Sequence, residues 1–248
     1  MIELDGVCCD FGGFTAVADF SARFNDGGRY AIVGESGSGK TTTARVIAGL
    51  LKPTSGAVRR DGHPVYGRHG AARAHFQKVQ LIHQDSASAL DPRLNVGTII
   101  AEPLRCAVHL ERALRQDRVE TLLALCNLPA DYAHRRPHAL SGGEQKRVAI
   151  ARALAVQPEC LIFDEATNGF DLPLRKKIVG EILDLQVQLG FTLIFITHDM
   201  ELAAVIADEI FVMRQAHLVE HVAFSGDAAV FTHPYSRMLA KAAGLLNI

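Results

Sequence analysis

The stretch Gly34-Glu35-Ser36-Gly37-Ser38-Gly39-Lys40-Thr41 matches G-x-x-x-x-G-K-[ST], the pattern of a loop that cradles phosphate groups. Its flanks agree with that reading. Arg29–Val33 runs apolar into the loop and Thr41–Leu51 leaves it with helical spacing, so a strand, a glycine-rich turn and a helix open an α/β unit. Glycines let backbone N–H groups converge on phosphate oxygens with no Cβ in the way, and the helix N-terminus adds the positive end of its dipole. Lys40 has the reach for β- and γ-phosphates, and the Thr41 hydroxyl is suited to Mg2+. Together with Thr42, these residues form a candidate site for a nucleoside triphosphate.

The rest of the composition narrows the class. A chain of 248 residues makes one large domain or two small ones at ~150 residues per domain, and it can bury a core without disulfide staples. Twenty-six Lys and Arg against 27 Asp and Glu leave a net charge of −1, so no basic field marks a nucleic-acid binder. With 48% hydrophobic and 21% charged residues, disorder is excluded. No apolar run approaches the ~20 residues of a bilayer span. The start, Met1-Ile2-Glu3-Leu4-Asp5, lacks the basic and apolar regions of a signal peptide. Five scattered cysteines without C-x-x-C spacing suggest neither a disulfide framework nor a zinc site. The chain reads as cytosolic, with any membrane attachment left to partners.

Along the chain, Ile2–Val7 and Phe14–Phe24 read as two strands. The apolar runs Val79–Ile82, Cys160–Phe163, Thr192–Ile196 and Ile210–Met213 are short, as buried parallel strands are. Ile178, Ile182, Leu185 and Leu189 step by four, three and four residues, a stripe that faces a core, and Gly190 ends that helix. Helical patterns at Val96–Ala107, Arg112–Cys126 and Glu144–Ala155 follow one another without clear strands. The expected organisation is a single domain, 1–248, with an α/β core at 1–84 and 157–222. A helical subdomain is inserted at 85–156, and a short helical tail occupies 223–248.

Two further strand ends carry polar groups. Cys160-Leu161-Ile162-Phe163-Asp164-Glu165 ends an apolar strand in two acids. Alone, such a pair commonly makes a solvated turn or a helix cap. Beside a phosphate loop, Asp164 suits Mg2+ and Glu165 can orient or deprotonate the attacking water. Thr192-Leu193-Ile194-Phe195-Ile196-Thr197-His198-Asp199 places His198 at another tip, for contact with a γ-phosphate, while Thr197 or Asp199 can cap a following helix. Gln84, after Val79–Ile82, is a fourth strand-end polar residue suited to Mg2+ and water.

Leu140-Ser141-Gly142-Gly143-Glu144-Gln145-Lys146-Arg147 resembles the signature sequence of ATP-binding-cassette (ABC) ATPases. The phosphate loop, Gln84, the signature, Asp164-Glu165 and His198 stand in that family's order, and the resemblance covers almost the whole chain. It implies a P-loop NTPase core with N-terminal antiparallel β strands and an inserted helical subdomain, using ATP and Mg2+. It also implies that Ser141, Gly142, Gly143 and Glu144, at a helix N-terminus, close over the γ-phosphate of an ATP held by a second subunit, identical or related. The segments Leu90-Asp91-Pro92-Arg93-Leu94, Ala101-Glu102-Pro103-Leu104, Arg136-Pro137-His138 and His233-Pro234-Tyr235-Ser236 resemble ATPases of dipeptide, oligopeptide and nickel importers, most of all the nickel or metallophore-type members. Such a subunit works at the cytoplasmic face of the membrane with two integral membrane permease subunits and an extracytoplasmic solute-binding protein.

Departures from the family pattern are local. Ala166 replaces the usual proline, and Asn168-Gly169-Phe170-Asp171 keeps only Asp171 of a loop that communicates across the dimer. Phe11, ahead of Phe14, stands at the adenine-stacking position, where a tyrosine is common, and Gly27-Gly28-Arg29 stands where a Gly-Glu pair is usual. The histidines His63, His69 and His75 share no helical face and read as exposed or core residues. Export or lipoprotein-releasing ATPases form the alternative within the family, and the Glu-Pro-Leu and His-Pro-Tyr segments argue against them. A soluble repair or translation ATPase is the alternative beyond transport. Lys40 and Asp164 are too close in sequence for a coiled-coil insertion, and the chain carries one cassette.

Overall fold

Residues 1–67, 71–83, 89–167 and 169–246 are described by a computed structural model. The N-terminal strands β1 (Ile2–Phe11) and β2 (Phe14–Phe24) pair antiparallel. They join through Gly12 and Gly13, at φ 56° and 96°, the left-handed pair that a two-residue hairpin with right-handed twist requires. β1 therefore runs four residues past the apolar run that announced it. Its inward side chains Ile2, Leu4, Val7 and Cys9 meet Val17, Phe20 and Phe24 in one buried cluster.

Next come β3 (Arg29–Val33), α1 (Lys40–Ile47), β4 (Ser55–Arg60), β5 (His63–Pro64), α2 (Ala71–Lys78) and β6 (Val79–Ile82). After the helical region come β7 (Cys160–Asp164), β8 (Thr192–Thr197), β9 (Glu209–Arg214) and β10 (His217–Ala223). The ten strands lie in the order β5-β4-β1-β2-β10-β9-β3-β8-β7-β6. Strands β9, β3, β8 and β7 run parallel, and β7 and β8 are buried throughout. Phe24 packs edge-on to Tyr30 with ring centroids 5.0 Å apart, and Phe163 stacks on Phe195 at 5.7 Å. Each such ring contributes roughly 1.5–3 kcal/mol by leaving water. Register positions the site. Val33 pairs with Thr197 and Asp164 with Ile196, so three parallel strands end side by side, and ligands of open α/β sheets bind beyond such carboxyl ends.

The chain divides into two units, one of Met1–Leu81, Cys160–Glu165 and Phe191–Ile248, the other of Ile82–Glu159 and Ala166–Gly190. The first holds the sheet, with α7 (Met200–Ile206) and α8 (Pro234–Ala242) after β8 and β10. The second contains α3 (Val96–Cys106), α4 (Arg112–Leu125), α5 (Gly142–Leu154) and α6 (Leu172–Leu189). In it α3 packs on α4 and α5 and buries Val96, Ile99, Ile100 and Leu104. Arg147 of α5 makes two bonds to Glu181 of α6, at 2.7 and 2.8 Å. On α6, Ile178, Ile182 and Leu185 are buried as the stripe requires, but Leu189 is 44% exposed. It occupies the last turn, where Gly190 at φ 71° turns the chain away. Among the described residues no helix is long and apolar enough to cross a membrane.

Candidate active site

Gly34 follows β3 directly, and its backbone runs against β9. A Cβ there would lie 2.2 Å from the Met213 carbonyl oxygen, so no larger residue fits. Gly39 precedes α1 at φ 103°, where a Cβ would meet the Ala16 carbonyl at 2.2 Å. With glycine at that position no side chain caps α1, and its first N–H groups are left for an anion. Ser38 Oγ, on a residue 1% exposed, has no hydrogen-bond partner among the described residues. A buried hydroxyl without a partner is costly unless a ligand completes it. A phosphate group fits this loop.

Lys40 is not the core-neutral side chain that its place in a loop suggests. It is 4% exposed, and its Nζ curls back to donate to the carbonyls of Gly34 at 2.8 Å and Glu35 at 2.7 Å. Burial lowers its pKa, opposed by the carboxylates of Glu165, Asp164 and Glu35. Phosphate oxygens arriving at the loop would supply the negative charge that this ammonium lacks.

At the tip of β7, Asp164 is 4% exposed and Oδ1 accepts from Thr41 Oγ1 at 3.1 Å. Hydroxyl and carboxylate are hard oxygen donors, and Mg2+ is commonly held by one or two of these together with substrate phosphates. Glu165 follows with a left-handed backbone, φ 49°, and its N–H donates to the Ile196 carbonyl at 2.9 Å. A non-glycine residue in that conformation costs about 1–3 kcal/mol. His198, beyond β8, places Nδ1 3.8 Å from Glu165 Oε1, within ion-pair range though longer than a hydrogen bond. Its neighbour Asp199 caps α7 by accepting from Leu202 N–H at 3.1 Å, so the capping reading of this tip holds for Asp199 while His198 stays exposed. Phe11 is 50% exposed at the hairpin tip, and Phe14, its partner in register, is 62% exposed.

The first unit thus gathers Gly34–Thr41, Asp164, Glu165 and His198. Gln84 lies outside the described residues. The signature and Asp171 belong to the second unit. Ser141 is the N-cap of α5, and the Ser141/Glu144 pair forms a capping box. Glu144 Oε2 accepts from Ser141 N–H at 2.7 Å and from Ser141 Oγ at 2.8 Å, and Oε1 accepts from the Tyr132 hydroxyl at 2.7 Å. These donors, Tyr132 first, hold the Glu144 carboxyl below its ordinary range. The stabilisation is therefore complete above the unfolded-state pKa and lost as pH falls through the lower folded one. Asp171 caps α6, accepting from Leu174 N–H at 3.3 Å, and Phe170 lies against Gly142, where a Cβ would be 3.4 Å from its ring.

The family model described as ABC transporter matches residues 17–168. The chain belongs to the ABC transporter family. Its fold is that of an ABC ATPase, a nucleotide-binding protein, as the resemblance implied. The nickel import ATP-binding protein NikE of Brucella suis biovar 1 (strain 1330) is 40% identical over 230 residues, covering 92% of this chain and 86% of that protein. A protein of Brucella abortus (strain 2308), provisionally named a peptide import ATP-binding protein, is 41% identical over 226 residues, covering 90% of this chain and 68% of its own length. Among solved structures, the dimeric post-hydrolysis state of the ATP-binding cassette MJ0796, bound to ADP and Pi, superposes with a TM-score of 0.80 at 27% identity. The match covers 91% of this ABC ATPase and 99% of that chain.

Tyr235 and Arg214 lie outside the site residues that the sequence indicates. Both touch Glu35 of the phosphate loop, and nothing in their local sequence signals a contact made across the fold.

Proposed function

We propose that this chain is the ATP-hydrolysing subunit of an importer for nickel, a metal chelate or small peptides. The reading rests on one observation: the three parallel strand ends bring the phosphate loop, Asp164, Glu165 and His198 together. In this reading ATP lies along Gly34–Thr42, with its adenine on Phe11. Lys40 Nζ leaves the Gly34 and Glu35 carbonyls for the β- and γ-phosphate oxygens. Glu165 takes the proton of the attacking water, and His198 contacts the γ-phosphate. Thr41, Asp164 and Gln84 would hold Mg2+, whose chemistry there would be to neutralise charge on the phosphate oxygens.

Ser141–Glu144 would close over the ATP of a second ATP-binding subunit, identical or related, in a dimer of the kind that MJ0796 forms. Asp171 would stand in the loop that communicates across it. Two integral membrane permease subunits and an extracytoplasmic solute-binding protein complete the importer, with the chain peripheral on the cytoplasmic membrane face. The names of the relatives from Brucella support nickel or peptide cargo.

Ser141→Ala separates the two roles of that serine. Loss of the cap should lower stability by about 1 kcal/mol in a denaturant titration, while turnover in the assembled complex falls far more than so small a change explains. Affinity purification of the full-length chain from its native membranes tests the assembly. Two permease proteins should co-purify in stoichiometric amount. A chain that hydrolyses ATP at full rate alone and recovers no membrane protein would overturn the importer reading.

A further inference from the structure

The tail segment His233-Pro234-Tyr235-Ser236 plays no part in the chemistry above, yet it reaches the phosphate loop. Glu35 N–H donates to the Tyr235 phenolic oxygen at 3.1 Å, across 200 residues of chain. That N–H belongs to the same planar peptide unit as the Gly34 carbonyl, which accepts from Lys40 Nζ at 2.8 Å. One peptide plane at the mouth of the loop is therefore held on both edges, by Lys40 on its oxygen and by Tyr235 on its nitrogen.

The phenol is itself fixed. Tyr235 is 5% exposed and packs in an apolar cluster with Ala31 and Val33 of β3 and with Phe224 and Phe231. His233 Nδ1 accepts from Tyr235 N–H at 3.2 Å, capping α8. Glu220 Oε1 of β10 accepts from Thr232 N–H, Thr232 Oγ1 and His233 N–H at 2.7, 2.7 and 3.0 Å. The Arg214 guanidinium covers the Tyr235 ring at 4.8 Å and comes within 4.0 Å of Glu35 Oε1.

We infer that Tyr235 is a positioning residue of the nucleotide site, its phenolic oxygen keeping the Gly34–Glu35 peptide in the orientation that nucleotide requires. This inference rests on the reading of Gly34–Thr42 as the ATP site. When Lys40 turns to the phosphates, the bond on the carbonyl edge is given up and the Tyr235 bond remains. Without it the peptide is free to rotate, the competent loop is only a fraction of the population, and apparent affinity falls by that fraction.

Tyr235→Phe in the full-length chain keeps the ring, its packing and the Arg214 contact, and removes only the acceptor. Expected are a roughly three- to tenfold rise in the ATP Kd and KM, a kcat within about twofold of wild type, and faster hydrogen exchange at the Glu35 amide. Met238→Ala, on the exposed face of the same helix, should change none of these. If Tyr235→Phe leaves Kd and Glu35 exchange at wild-type values while Lys40→Ala still abolishes ATP binding, the site stands and the role of Tyr235 is wrong. If Lys40→Ala also leaves ATP binding intact, the site reading and this inference fall together. Should Tyr235→Phe fold poorly, Glu35 amide exchange in the wild-type chain decides, since a slow amide is expected and a fast one contradicts the anchor.

Discussion

Glu165→Gln should lower ATP turnover by about 10²–10⁴-fold, the usual cost of removing a general base, while ATP binding stays near wild type. The two effects separate because Thr41, Lys40 and Asp164 are untouched, and glutamine keeps the size and hydrogen-bonding reach of the side chain. Its backbone bond to the Ile196 carbonyl, at 2.9 Å, survives the exchange, so the left-handed turn should hold. If Glu165 served only that turn, the exchange would cost at most about 1 kcal/mol of stability and leave turnover alone. Phosphate release by the purified complex, measured beside an equilibrium ATP titration, distinguishes these outcomes. Turnover within threefold of wild type would move the search for a base to His198, whose ring nitrogen lies 3.8 Å from the same carboxylate.

Lys40→Ala should weaken ATP binding by on the order of a hundredfold or more, because two charge-assisted bonds to phosphate disappear at once. The effect on folding is smaller and mixed. The variant loses the bonds from Nζ to the Gly34 and Glu35 carbonyls, but it also removes an ammonium that burial disfavours. A net change within about 1–2 kcal/mol is expected from such opposed terms. Calorimetric ATP titration together with a thermal melt checks both parts. A large loss of stability with ATP affinity retained would make Lys40 a structural residue.

Much of this site is legible along the chain because each part is a polar residue at the end of an apolar run. Asp164 ends a buried strand and Glu165 and His198 each follow one, and the parallel register then does the gathering. The parts that escaped sequence reading lack such contrast. β10 contains only exposed and half-buried residues, with no fully buried position to mark it. On α2 only His75 is buried, so no apolar stripe announces a helix. The Gly12-Gly13 turn was readable, since two glycines between apolar strands signal a tight hairpin. Other features belong to the folded chain alone. The inward curl of Lys40, the left-handed backbone of Glu165 and the reach of Tyr235 to Glu35 depend on elements distant in sequence. Ser141 shows the opposite case: one short motif carries a family signature and a helix cap together, and the structure displays the cap directly.

In the proposed role this chain hydrolyses ATP in order to drive transport through other subunits. Phosphate release from Mg-ATP by the wild-type chain tests it, first alone and then assembled with the proposed permease subunits and solute-loaded binding protein. Expected is slow turnover alone, because in the proposed dimer the signature that closes over each ATP comes from a second subunit, and faster turnover when the loaded assembly is complete. Hydrolysis that is absent in both states, or equally fast in both, would contradict that role.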